Sequence, residues 1–62
     1  MQTIKVGTLR DSITRKFEII GETADRYIVD ELFISSRDVL RADRLQLIEK
    51  DRLTLSGDLT IR

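Results

Sequence analysis

Apolar residues in this chain arrive in short pulses with a period of two, and that spacing belongs to β-strands. Ile4 and Val6 alternate with Thr3 and Lys5 until Gly7 breaks the run. Phe17 and Ile19 alternate with Lys16 and Glu18 and close at Ile20-Gly21. After the polar stretch Glu22-Thr23-Ala24-Asp25 comes Tyr27-Ile28-Val29, and these two runs predict a hairpin. Leu32-Phe33-Ile34 follows an Asp30-Glu31 break, read as a solvated turn. Leu45 and Leu47 flank Gln46, with Ile48 extending the run. Leu53 and Leu55, then Leu59 and Ile61, alternate with Thr54 and Thr60 around Ser56-Gly57-Asp58. That last pair predicts a second hairpin, with Gly57 supplying the positive φ of a tight turn.

Residues 35–50 admit two readings. Ser35-Ser36-Arg37-Asp38 can cap a helix running on through Ile48. On a helical wheel, however, Val39, Leu40, Leu45, Leu47 and Ile48 spread around the circumference instead of forming one stripe. The spacing therefore favours a short strand at Val39-Leu40, one helical turn over Arg41-Ala42-Asp43-Arg44, and a strand from Leu45. The expected core is Phe17, Ile19, Val29, Phe33, Leu45 and Leu47. The expected fold is an all-β single domain spanning residues 1–62. It would be a small barrel of five to seven short antiparallel strands with one short 3-10 or helical turn, closure removing the exposed edges of a small sheet.

Phe17-Glu18-Ile19-Ile20-Gly21, the loop, Tyr27-Ile28-Val29 and then Val39 through Ile48 resemble the later strands of SH3-like barrels. The resemblance covers roughly residues 4–49 and lies in pattern. It implies a 3-10 turn before the final strand and a long first loop that contacts partners.

The chain has 62 residues and no His, Cys, Trp, Pro or Asn. Without Cys or His the usual zinc, haem and iron–sulfur sites are excluded, as are nucleophiles paired with a histidine. Four serines have no histidine to activate them, and a barrel this small has little room for an enclosed cleft. No enzyme, cofactor or metal site is expected. Eleven basic residues balance eleven acidic ones, which argues against a dedicated nucleic-acid binder. No apolar run reaches a membrane span and the first residues lack signal-peptide architecture, so a soluble, cytoplasmic protein is expected.

Candidate binding residues fall into three groups. Arg10, Arg15 and Lys16 flank Asp11-Ser12-Ile13-Thr14, where Ile13 is an isolated aliphatic in a charged stretch. Arg37, Arg41 and Arg44 are spaced to project together from a helical turn, although Asp38 and Asp43 lie among them. Tyr27 is the aromatic ring suited to a half-exposed position. Two functions are consistent with these features. One is a non-enzymatic protein-interaction module, an adaptor or accessory subunit binding another protein; the other is a nucleic-acid-associated SH3-like module with a regulatory role. A homodimer through residues 53–62 is also expected, because an isolated hairpin needs its apolar face covered. Arg52 and Arg62 would pair with acids of the second copy.

Overall fold

A computed structural model describes residues 2–61; Arg62 lies outside them. The chain is all-β, with five antiparallel strands in one sheet and one 3-10 turn. The strands are β1 (Gln2–Leu9), β2 (Ser12–Glu22), β3 (Arg26–Ile34), β4 (Val39–Glu49) and β5 (Leu53–Ile61). The 3-10 turn, Lys50–Arg52, joins β4 to β5. No described helix is long and apolar enough to cross a membrane.

Short polar side chains close the turns by taking over backbone hydrogen bonds. Thr23 Oγ1 accepts from Arg26 N at 3.0 Å, and Thr23 N donates to Arg26 O at 2.7 Å. Ser35 repeats this between β3 and β4: its Oγ accepts from Asp38 N at 3.1 Å and its N donates to Asp38 O at 2.8 Å. The predicted β2–β3 hairpin is present.

Sheet order is β4-β3-β2-β1-β5, so the last strand returns beside the first. Consecutive residues of a strand face opposite sides, while directly paired residues share a side. Val6 is paired with Glu18, and Gly7 with Phe17. The sheet therefore buries one face at one end and the other face at the other end. Ile4, Val6 and Leu32 form the first cluster, with Val39 and Leu59 packed on it. Leu9, Phe17, Val29 and Leu53 form the second, with Ile19, Tyr27 and Ile48 against it. β1 crosses between them, so Val6, Gly7, Thr8 and Leu9 are all buried.

Several sequence expectations need correcting. Gly7 does not end a strand; it lies inside β1, at a point where β5 approaches closely. A Cβ on Gly7 would stand 3.0 Å from Leu53 Cδ2 and 3.3 Å from the Thr54 carbonyl oxygen. Residues 53–61 form one strand paired along β1, not a hairpin. The register passes from Val6↔Gly57 to Gly7↔Leu55, so Ser56 is the extra residue of a β-bulge and Gly57 (φ 111°) its left-handed member. This bulge lets Leu53 pack beside Leu9 while Leu59 packs beside Ile4 on the other face.

The helical turn expected at residues 41–44 is also a bulge, within β4. Pairing jumps from Asp30↔Leu45 to Leu32↔Arg41, and Asp43 takes a φ of 57°. Asp30, buried within the continuous strand β3, accepts a hydrogen bond from Arg44 N at 3.2 Å. The Asp30-Glu31 turn does not exist. Past this bulge, Gln46 and Ile48 lie across from Val29 and Tyr27, whereas Leu45 and Leu47 lie across from Asp30 and Ile28 on the opposite face. Leu45, Leu47 and Phe33 consequently stay 65%, 56% and 54% exposed, outside the core expected for them.

Truncation of Phe17, which is fully buried, should cost about 3–5 kcal/mol, whereas Phe33→Ala should cost no more than about 1 kcal/mol. Gly7→Ala should cost about 1–3 kcal/mol through overpacking against Leu53. Urea unfolding of the three variants checks the order; equal losses for Phe17→Ala and Phe33→Ala would contradict this register.

Candidate functional site

The long first loop is replaced by a tight turn, since β1 ends at Leu9 and β2 begins at Ser12. Arg10 lies in that turn and its backbone N donates to Arg52 O at 3.0 Å. Ile13, Arg15 and Lys16 belong to β2, and Ile13 is 71% exposed. Lys16 Nζ donates to the Ile13 carbonyl at 3.3 Å. Arg15 grips Glu31 on the neighbouring strand with two bonds, Nε–Oε2 at 3.0 Å and Nη2–Oε1 at 2.9 Å. Its guanidinium also lies 5.3 Å from the Phe17 ring centroid, a cation–π distance.

Arg15 and Lys16 border a shallow concavity of about 470 Å³ formed with Thr14, Glu31, Leu32, Phe33 and Ile34. Two candidates from one sequence group thus meet Phe33, an exposed ring that the sequence reading had assigned to the core.

The other candidates do not join them. Arg41 is committed to Glu18, with Nε–Oε1 at 2.7 Å, and its Nη2 donates to Gln2 Oε1 at 3.4 Å. Glu18 is buried, and this pairing compensates its burial. Arg44 contributes its backbone N to Asp30, and Arg37 sits in the β3–β4 turn with its N on Ser35 Oγ at 3.4 Å. On a bulged strand the three arginines do not project as one cluster. Tyr27 packs partly buried on the Phe17 cluster, with Lys50 Nζ 5.4 Å from its ring centroid. Lys50 also pairs with Glu22 at 2.6 Å.

Hydrogen bonding to Arg15 holds the Glu31 carboxyl below the usual carboxylate range, and the same bond raises Arg15. Lys50 does likewise to Glu22 and is itself raised. A carboxyl depressed in the folded state stabilises above its unfolded pKa, and that stabilisation disappears as pH falls through the folded value. The melting temperature should therefore decline below about pH 4.5, the ordinary glutamate range. Glu22→Gln/Glu31→Gln should start lower at neutral pH and decline less. An identical acid-induced drop in the variant would remove these two pairs as its cause.

Compared with protein-family models, curated proteins and solved structures, the chain gives no match.

Proposed function

We propose that this chain is a non-enzymatic protein-interaction module, an adaptor or accessory subunit, built as an SH3-like barrel. The barrel reading is supported by the strand order, in which β5 returns beside β1, and by the 3-10 turn directly before the last strand. The docking surface is the β2–β3 concavity with Ile13, Arg15, Lys16 and Phe33.

One observation carries the reading. Phe33 is 54% exposed and lines a concavity that also carries Arg15 and Lys16, and Ile13, 71% exposed, stands two residues before Arg15 on β2. Exposed aliphatic and aromatic anchors beside arginine are the composition of protein interfaces. Arg15 is already oriented by Glu31 and Phe17, so little side-chain entropy is left to lose when a partner docks.

A second reading, a nucleic-acid-associated module with a regulatory role, draws on Arg10, Arg37 and Arg44. Among the described residues none of their side chains has an acidic partner within salt-bridge distance. Affinity capture from the cell that makes the protein separates the two. Ile13→Asp and Phe33→Asp should each abolish capture of the specific protein partner while leaving the far-ultraviolet circular dichroism unchanged. Binding to mixed-sequence RNA or duplex DNA that weakens steeply with salt and survives both substitutions would establish the second reading instead.

A further inference from the structure

We propose that two copies of this chain pair through the outer edges of their β4 strands, antiparallel about a two-fold axis, each Leu45 against the other copy's Leu47. This surface lies on β4, apart from the β2–β3 concavity. β4 is an edge of the sheet and pairs only with β3. Beyond the bulge its register is regular, from Leu45↔Asp30 to Glu49↔Arg26. The outward-facing backbone groups of that stretch have no partner strand, which makes it a template for another strand.

Edges are usually protected by charge, proline or a bulge. Here the bulge at Asp43 lies before the stretch, and Leu45-Gln46-Leu47-Ile48 contains no charge, proline or glycine. The other edge is protected: β5 is interrupted midway by the Ser56-Gly57 bulge and by Asp58.

The free edge continues an apolar face. Leu45 and Leu47 are 65% and 56% exposed, on the side of the sheet away from the Phe17 cluster. Leu47 is paired with Ile28, and Ile28 with Gly21 beside Ile20, which is 51% exposed. Four aliphatic side chains thus cross β2, β3 and β4.

A second copy is the occupant that fits. A two-fold normal to the sheet keeps like faces together, so the two aliphatic stripes join into one. With Gln46 of each copy at the axis, each Leu45 meets a Leu47, and regular pairing stops where Asp43 leaves the extended conformation. A two-fold in that direction reverses the strand, so the pairing is antiparallel, and Arg44 of each copy then lies across from Ile48 of the other.

Sedimentation equilibrium of the full chain from about 1 to 100 μM, the range of a modest interface, should show a limiting mass of twice 7.2 kDa. A single 7.2 kDa species throughout would overturn the proposal, as would oligomers that keep growing past two. Leu45→Lys/Leu47→Lys should weaken association at least about 100-fold with unchanged circular dichroism. Persistence of the dimer in that variant, or its loss on Leu55→Lys instead, would place the contact elsewhere. A cysteine at the axis gives an arm independent of the leucines, since the chain has no other cysteine. Oxidised Gln46→Cys should run as a covalent dimer, because the two axial residues face each other across the pair; an oxidised variant that stays monomeric would rule out this antiparallel two-fold.

Discussion

The fold depends on β1 being buried on both faces. Its flanking partners are β2, joined by a two-residue turn, and β5, which arrives from the far end of the chain. The β1–β5 ladder runs from Gln2↔Ile61 to Leu9↔Leu53, closing nearly the whole chain into one loop. Neither small cluster has enough apolar area to hold a 62-residue chain together separately. They act as one unit because β1 carries Ile4 and Val6 into one and Leu9 into the other. Gly7 permits this: Phe17 is paired across from it, and a Cβ there would stand 3.0 Å from Leu53 Cδ2, so Leu53 would have to shift to admit one.

Bulges let strands with a simple alternating pattern serve two cores on opposite faces. Ser56 and Gly57 change the face of β5 halfway, so leucines of the same parity enter different clusters. Between β3 and β4, the buried Asp30 carboxylate holds Arg44 N and so fixes the irregularity at Asp43. The Asp30 carboxylate is therefore structural.

Much of the fold was legible in the sequence: the strand class, the β2–β3 hairpin and the burial of Phe17 and Val29 follow from period-two spacing. Bulges were not legible, because they change parity without changing composition. Ser56-Gly57-Asp58 has the composition of a turn and also that of a bulge, and only the pairing with Val6 and Gly7 decides between them. Parity likewise governs β4. Leu45-Gln46-Leu47-Ile48 offers two faces, and choosing Leu45 and Leu47 as core selected the wrong one. Of the candidate site, Arg15, Lys16 and Ile13 were legible as charged residues around one aliphatic. Their partners Glu31 and Phe33 were not, since Glu31 had been assigned to a turn and Phe33 to the core.

The arrangement of charge follows from the same ladders. Arg15 and Glu31, Arg41 and Glu18, and Lys50 and Glu22 connect different elements of the chain, and no pair joins residues close in sequence. Most exposed pairs contribute little to stability, but the Arg41–Glu18 pair serves a carboxylate whose burial would otherwise be costly. Arginine suits that position because its planar fork also reaches Gln2. The arginine-rich composition is thus partly consumed in holding strands together, and this separates Arg41, tied to Glu18 across the sheet, from Arg37 in a turn. Seven large apolar residues are buried and eight are exposed among the described residues. The fold thus leaves at its surface as many large apolar side chains as it buries, a consequence of strands whose parity changes at the bulges.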